Sequence, residues 1–278
     1  MTANVTTSLG RPDRPTSSRA IALLAVATIR MLLRRKRLIF LVLLLLAPPF
    51  LTTVLKVEGV PTEEGFATVA PQAFFLFLGP IVTLFHGAGI FADEIDGRTM
   101  VYLLMRPVSR EALLFGKALG VWVVSTLLLW GSALATHVPS VWDGTWSSFA
   151  SGDLWGPFVP FALLLALATL LYTAISLLFG LVLRHPILIG IVYMLVVEAA
   201  FCWAPGPPSR VAISYHVTRL LPDFYVTPEE MVAAARGVSV VEPNPVFVLI
   251  GLGTTFAAVL LLCVVAIRSS DLASGEDD

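Results

Sequence analysis

Charged residues are sparse in this chain, and residues 91–117 hold both acidic and basic ones in the sequence FADEIDGRTMVYLLMRPVSREALLFGK. Asp93, Glu94 and Asp96 lie near the start, and Arg106 and Arg110 follow after an apolar run. Acidic and basic groups at this spacing can form ion pairs with another protein or with lipid headgroups. The stretch is therefore a candidate docking surface.

The order of residues in this stretch predicts a short helix between two breaks. Gly97 ends the acidic cluster and a helical segment follows over about 98–105. Pro107 ends that segment, because the residue before a proline avoids the α region. Ser109 is placed to cap the next helix, with Glu111 in its first turn. The segment is either a docking helix parallel to the membrane or a solvated connector.

Motifs for catalysis or metal binding are missing from the sequence. Gly116-Lys117 is followed by Ala118 and lacks the upstream glycine of a phosphate-binding loop, and neither H-E-x-x-H nor G-x-S-x-G occurs. The histidines and cysteines have no metal-ligand spacing; they are His86, His137, His185, His216, Cys202 and Cys263. We expect a chain that is not an enzyme, binds no metal or cofactor and has no nucleic-acid partner.

Glu198 is an acid inside an otherwise apolar segment. A charge in the hydrocarbon region is costly and by default indicates function, such as lining a pathway or pairing at a subunit seam. A position close to the outer interface, within reach of water, is the alternative.

The elements that carry these residues are predicted to cross a membrane. Of the 278 residues 57% are hydrophobic and 13% are charged, and the mean hydropathy is +0.87. Soluble domains are about 45–50% apolar and about 25% charged. Since a span needs roughly 20 apolar residues, the runs predict an all-α, polytopic membrane protein with six transmembrane helices. These lie at about 38–55, 68–91, 112–135, 157–183, 186–204 and 245–267.

A further apolar segment with a basic end precedes the first span, at about 18–36. It is suited to an amphipathic helix in the inner membrane interface, and a seventh span is the alternative. Residues 1–17 are predicted to be a disordered cytoplasmic tail and 268–278 an acidic cytoplasmic tail. Residues 205–244 form a long outer loop with two predicted short helices, and this loop is an outer gate, a docking surface for an extracytoplasmic partner, or a lid over the helix ends.

The positive charges orient these spans. With six crossings and both termini inside, 14 of the 18 lysines and arginines fall on inner segments. Only Lys56, Arg210, Arg219 and Arg236 fall outside. Positive charges concentrate on cytoplasmic loops, so we expect a multi-pass protein of the cytoplasmic (inner) membrane with both termini in the cytoplasm.

The charged stretch resembles the permeases of the type-2 export class of ABC transporters. The resemblance covers about 18–267. The residues that match its motif are Glu94, Gly97, Thr99, Leu103, Leu104, Arg106, Pro107, Ser109, Arg110, Gly116 and Lys117.

The resemblance implies a half-transporter membrane subunit. Two copies, as a homodimer or as a heterodimer with a related subunit, would pair with two separate ABC ATPase subunits, which would bind ATP and Mg. The helix at 94–105 would be the coupling helix between spans two and three. The residues that would contact the ATPase are Asp93, Glu94, Asp96, Gly97, Thr99, Leu103, Leu104, Arg106, Pro107 and Arg110.

Two other function classes require features that the sequence lacks. A secondary transporter driven by an ion gradient predicts inverted repeats and ionisable residues at mid-membrane, and the sequence has no convincing repeat. A membrane-embedded enzyme needs clustered acids, histidines or serines, which the sequence lacks. Apolar spans favour an exporter of hydrophobic or amphipathic cargo, or a subunit that transmits mechanical work.

Overall fold

The computed structural model describes residues 17–59, 62–96, 109–141, 152–202, 207–236 and 244–269. Within these ranges the chain is helical and contains no strand, which confirms the all-α prediction. The helices before the charged loop are α1 (Ser17–Leu33), α2 (Arg37–Leu45), α3 (Ala47–Val57), α4 (Thr62–Pro71), a π-helical segment (Gln72–Leu78) and α5 (Gly79–Asp96).

The second half of the chain continues in the same way. Its elements are α6 (Arg110–Val141), α7 (Gly152–Val182), α8 (Pro186–Tyr193), a π-helical segment (Met194–Ala200), a 3₁₀ helix (Pro207–Val211), α9 (Ile213–Thr218), α10 (Pro228–Arg236) and α11 (Pro245–Ser269). We call residues 207–236 the outer segment, after the predicted outer loop.

Five stretches are long and apolar enough to cross a membrane. They are Arg37–Val57, Phe66–Phe91, Arg110–Val141, Trp155–Val182 and Pro245–Arg268. They coincide with five of the six predicted spans. The remaining one, predicted at 186–204, is a shorter apolar helix, Pro186–Ala200, so the sixth crossing stays a prediction.

The N-terminal helix α1 packs against the start of α6 through two glycines. A Cβ atom built on Gly116 would lie 2.6 Å from Leu24 Cβ, and one on Gly120 would lie 2.7 Å from Thr28 Cβ. Small residues four positions apart let two helix backbones approach closely. The predicted helix at 18–36 therefore exists as a helix that docks on α6, while its location in the membrane interface stays a prediction.

Proline interrupts the first span and leaves a carbonyl open. Pro49 has no N–H to donate to the Leu45 carbonyl four residues earlier, and α2 ends there. The Ser132 hydroxyl of α6 donates to this carbonyl instead, at 2.6 Å. The break in α2–α3 is thus also a contact with a neighbouring helix.

Pro71 has the same effect at the start of the second span. The Ala67 carbonyl would normally accept from the N–H of residue 71, which a proline lacks. It accepts from the Val226 N–H of the outer segment, at 3.1 Å. The helix then continues in the π register over Gln72–Leu78.

An aromatic core fills the space between these helices and the outer segment. Its largest members are completely or almost completely buried: Phe66, Phe74, Phe75, Phe161 and Tyr225. Their rings lie 5.2–6.1 Å apart between centroids in tilted, edge-on and stacked pairs. The core thus joins the outer segment to the second and fourth spans.

Candidate functional site

The acidic residues of the charged stretch lie at the end of α5. Asp93, Glu94 and Asp96 occupy its last turn. The other predicted contact residues from Gly97 to Pro107 lie outside the described residues, as does the predicted helix over 98–105. The structure therefore brings the acids to one end of the second span, and their role as an ATPase contact stays a prediction.

The helix after the charged loop begins as predicted. The Ser109 hydroxyl accepts a hydrogen bond from the Ala112 N–H at 3.2 Å, and Glu111 lies in the first turn of α6. Both features stabilise a helix N-terminus. The predicted cap is confirmed.

Arg110 and Glu111 meet the end of α11. The Arg110 guanidinium donates to the Arg268 carbonyl at 3.4 Å, and Arg268 forms an ion pair with Glu111. Both partners of the pair are exposed, so its contribution to stability is small. The ion pair shows instead that the end of the last span lies beside the start of the third.

Two cations lie against the end of α5 that carries the acidic turn. The Arg35 guanidinium approaches the Gly89 carbonyl at 3.5 Å, and the Lys117 ammonium lies 4.5 Å from the centroid of the Phe91 ring. Lys117 is only 4% exposed, and a cation over an aromatic face is attracted by its quadrupole. Lys117, which the sequence marked as part of a motif, thus has a packing role next to the acidic turn.

Glu198 lies in the second π-helical segment and is completely buried. Its carboxylate accepts from the hydroxyls of Tyr172 and Tyr193, at 3.0 and 2.9 Å. It also accepts from the N–H groups of Ile213 and Ser214, at 3.2 and 3.0 Å. We call these five residues the Glu198 cluster; they join α7, α8 with the π-helical segment that follows it, and α9.

The two backbone donors explain why the cluster needs an acceptor. The first N–H groups of a helix have no partner within the helix, and α9 begins at Ile213. Ser214 is completely buried, so water does not satisfy its N–H. The Glu198 carboxylate caps α9 from a different element and thereby holds the outer segment on the spans.

Tyr172 links the cluster to the second span. Its hydroxyl hydrogen is shared between Glu198 and the Phe75 carbonyl, which lies 2.9 Å away. Pro80 has no N–H to offer Phe75 in the π register, and this leaves that carbonyl available. The two π-helical segments are therefore joined through one tyrosine.

Two further contacts fasten the rest of the outer segment. The Tyr225 hydroxyl donates to the Pro157 carbonyl at 3.2 Å. Thr227 and Glu230 form a reciprocal capping box at the start of α10, with N···O distances of 2.7 and 3.3 Å. Tyr225 and Val226 thus attach the outer segment to the fourth and second spans, and the capping box stabilises the start of α10 within it.

Comparison with protein families gives one match. Residues 22–205 fit the family described as ABC-2 family transporter protein. The chain belongs to this family. No curated protein sequence matches the chain. Members of the ABC-2 family are membrane subunits of ABC transporters, are not themselves ATPases, and generally pair with an ABC ATPase subunit.

Family membership confirms the resemblance found in the charged stretch. The chain is accordingly a multi-pass transmembrane permease of the ABC type. The matched range contains the loop with the acidic turn, the capped start of α6, and Glu198. It ends before the outer segment.

Sequence reasoning found Glu198 but none of its partners. Tyr172 and the donors on Ile213 and Ser214 are too distant along the chain for any spacing rule to connect them. The close approach of α1 was also missed, although Gly116 and Gly120 stand four residues apart, which is a usable signal.

Proposed function

We propose that this chain is the membrane-spanning permease subunit of an ATP-driven ABC export complex. ATP hydrolysis by a separate subunit would move a substrate, or transmit mechanical work, across the cytoplasmic membrane. Membership of the ABC-2 family is the observation that carries the proposal.

Contacts at the helix ends support six crossings with both termini in the cytoplasm. The Arg268–Glu111 pair joins the end of α11 to the start of α6. At the opposite end the Lys56 ammonium donates to the Pro139 carbonyl at 2.6 Å, near the end of α6. Helix α7 starts at this same end and finishes at the opposite one. After α8 the chain is back at the first end, because Tyr225 contacts Pro157 near the start of α7. We interpret that return as the sixth crossing.

The length of α8 and its continuation is compatible with such a crossing. Residues 186–202 are continuously helical, which at 1.5 Å per residue gives about 25 Å. A hydrocarbon core is about 27–30 Å thick. The Glu198 cluster lies at the far end of this helix, where the outer segment begins.

The acidic turn of α5 and the capped start of α6 support the ATPase contact. A loop between two long spans, framed by Asp93, Glu94 and Asp96 on one side and Arg110 on the other, transmits force to both spans at once. We assign this loop as the coupling element, with Arg106 and Glu94 as its main ionic contacts to the ATPase.

Uneven burial of the spans supports assembly with a second permease copy. The most apolar stretch of each span differs in how much of it is buried inside the protein. The share is 17% in Arg37–Val57 and in Pro245–Arg268, and 83% in Phe66–Phe91. The first and last spans therefore offer apolar faces to lipid or to a partner subunit. A homodimer places one copy on each of two ATPase subunits.

Copurification tests the proposal. The chain is expressed with its native operon neighbours and purified in mild detergent, as wild type and with Glu94→Ala plus Arg106→Ala. We expect a soluble ATPase subunit to co-elute in stoichiometric amount with the wild type and to be lost from the double variant. Lys56→Ala, at the opposite end of the spans, is the matched control and should retain the ATPase. A stable oligomer without a nucleotide-binding partner would contradict the proposal and favour gradient-driven transport.

A further inference from the structure

Four consecutive basic residues connect α1 to α2. Two of them lie beside α5: the Arg35 guanidinium approaches the Gly89 carbonyl at 3.5 Å, and a Cβ atom built on Gly89 would lie 2.6 Å from a guanidinium nitrogen of Arg37. Arg34 and Lys36 alternate with these two, are exposed, and form no side-chain hydrogen bond or ion pair within the described ranges. The connection thus contacts α5 through two of its cations and presents the other two to its surroundings.

Arg30 adds a third cation of the same kind. It is exposed, lies one helical turn before Arg34, and likewise has no side-chain partner in the part of the chain that the structure describes. We call Arg30, Arg34 and Lys36 the junction cations. Like charges one turn apart repel each other, and residues 14–57 contain no aspartate or glutamate that could neutralise them. The junction cations therefore favour an anion from outside this segment.

Exposed apolar side chains stand on both sides of the junction cations. Leu33 is 52% exposed, Ile39 73% and Phe40 55%. Apolar surface is unfavourable in water, and cations are costly in hydrocarbon. Both are accommodated at the boundary between lipid headgroups and acyl chains, where a basic side chain keeps its apolar stem in the hydrocarbon and its charge in the headgroup layer.

Lys36 also stands at the head of an apolar stripe along the first span. Ile39, Leu43, Leu46 and Phe50 follow it at intervals of three or four residues, and each is more than half exposed. Residues at this spacing lie on one face of a helix. From Lys36 to Phe50 the stripe is about 21 Å long, and one leaflet of hydrocarbon is about 15 Å thick. A cation followed by an apolar face of this length matches a lipid with an anionic headgroup.

Phosphate is an anion that these side chains recognise well. A guanidinium donates paired N–H groups to phosphate oxygens, and an ammonium binds phosphate as a point charge. In phosphatidylcholine the choline cation offsets the phosphate charge, whereas phosphatidylglycerol keeps a net negative charge. Charge complementarity with three cations therefore favours the anionic lipid.

A soluble protein surface is a poorer match than a lipid. Acidic side chains of another protein would pair with the junction cations. They would leave Leu33, Ile39 and the stripe beyond it in contact with water or with polar groups. A lipid satisfies the charges and the apolar surface at the same time.

We propose that the junction cations bind the phosphate of an anionic phospholipid, and that an acyl chain of this lipid lies along the stripe from Ile39 to Phe50. The site is separate from the charged loop and from the Glu198 cluster, because it contains no residue of either. Binding is independent of the proposed export function. Only the assignment of the lipid to the inner leaflet rests on the proposed topology.

Native mass spectrometry of the purified permease, without an ATPase, counts the lipids bound to each chain. The permease is titrated with dioleoylphosphatidylglycerol and, separately, with dioleoylphosphatidylcholine, which has the same acyl chains. We expect one phosphatidylglycerol per chain to bind at concentrations where phosphatidylcholine does not. Equal binding of the two lipids would overturn the proposal.

Arg34→Gln combined with Lys36→Gln removes two of the junction cations. Each basic residue near an anionic lipid strengthens binding roughly fivefold, so the double variant should bind phosphatidylglycerol about 30-fold more weakly. Arg19→Gln combined with Arg184→Gln is the matched control, because both residues are exposed and the change removes the same two charges elsewhere. Undiminished binding in the first variant, or an equal loss in both, would overturn the site.

Salt provides a second measurement on the wild-type chain, for the case that the double variant does not elute as a single species. Raising the ionic strength screens the charges, so the amount of bound phosphatidylglycerol should fall. Binding that does not respond to salt would overturn the ionic contact.

Other sources of an anion give different results. Glycerol 3-phosphate carries a phosphate without acyl chains and should not displace phosphatidylglycerol at equal concentration. Displacement at that concentration would assign the site to a free phosphate ester and overturn the proposal. Loss of the ATPase from the Arg34→Gln, Lys36→Gln variant with lipid binding unchanged would assign the junction cations to the ATPase instead. Because the lipid count uses the permease alone, a failed ATPase copurification of the wild type does not affect it.

Discussion

Replacing Glu198 with alanine should release the start of α9 from the spans. The carboxylate is the acceptor for the N–H groups of Ile213 and Ser214, at 3.2 and 3.0 Å. A buried donor left without an acceptor costs about 1–3 kcal/mol, so two such donors give about 2–6 kcal/mol. This cost falls on the local opening of α9, because the transmembrane core does not depend on these two bonds.

Amide hydrogen exchange measures the local opening directly. A loss of 2 kcal/mol of local stability speeds exchange by roughly 30-fold, since every 1.4 kcal/mol is a factor of ten. We therefore expect the amides at 213 and 214 to exchange at least about 30 times faster in Glu198→Ala. Amides in the middle of α6 and α7 should keep their wild-type rates.

Glu198→Gln separates the loss of an acceptor from the loss of volume. The amide keeps one acceptor oxygen and replaces the other with a donor, which faces Tyr193 and Ile213 or Tyr172 and Ser214. We expect exchange rates between those of wild type and the alanine variant.

Glu230→Ala is the matched control, because Glu230 caps α10 in the same outer segment. It should speed exchange at 227–231 only. Unchanged exchange at 213 and 214 in Glu198→Ala would refute the reasoning, and so would a uniform increase across all the spans.

Three other perturbations have expected outcomes that follow from single contacts. Gly120→Ala adds a Cβ that would lie 2.7 Å from the Thr28 Cβ, so it should lower the free energy of unfolding in an SDS titration by about 1–3 kcal/mol. Gly131→Ala is the control: its Cβ would meet nothing within 4 Å, so the change should raise the free energy of unfolding by up to about 1 kcal/mol. Thr227→Ala removes the cap of α10, which should lower the stability of that helix by about 1 kcal/mol and speed amide hydrogen exchange at its start. Unchanged exchange there would contradict the capping box. Burial raises the pKa of the Tyr225 phenol above its usual value near 10, so the unfolded form loses its proton first and stability should fall only as the pH rises above about 10. Phenolate absorbance during an alkaline titration, compared with Tyr225→Phe, checks this shift.

Hydropathy predicted the helical class and five long apolar helices because each of these features is local in the sequence. A run of apolar residues is sufficient to define a candidate span, and Ser109 with Glu111 is sufficient to define a helix start. The position of α1 depends on a contact between distant residues, Gly116 with Leu24 and Gly120 with Thr28. Such contacts need a rule for pairing helices, which composition and periodicity do not supply.

At Glu198, too, the sequence predicts the local feature and does not predict the contacts between distant residues. The cost of an acid in an apolar segment identifies it as important without reference to any other residue. Its partners are set by the π register of Met194–Ala200 and by the path of the outer segment, since both determine which donors reach the carboxylate. Neither is encoded in a spacing that the sequence displays.

Prolines in the spans create the acceptors that bind one element to another. Each removes a helix N–H and so leaves a carbonyl one turn earlier without its usual donor. The Leu45 carbonyl then accepts from Ser132, and the Ala67 carbonyl accepts from Val226. A helix is most easily bent at such a position, because no internal hydrogen bond has to break.

The positions of these prolines have a consequence for the proposed ATP-driven function. If the spans rock against one another, the bends should occur where prolines already interrupt the helices. The donors that fill the open carbonyls, Ser132 and the outer segment at Val226, lie on neighbouring elements and would move with them. The Glu198 cluster adds a third such connection, through Tyr172 and Phe75. Movement of the second span would therefore reach the outer segment through hydrogen bonds at Ala67 and Phe75, both of which exist because a proline follows.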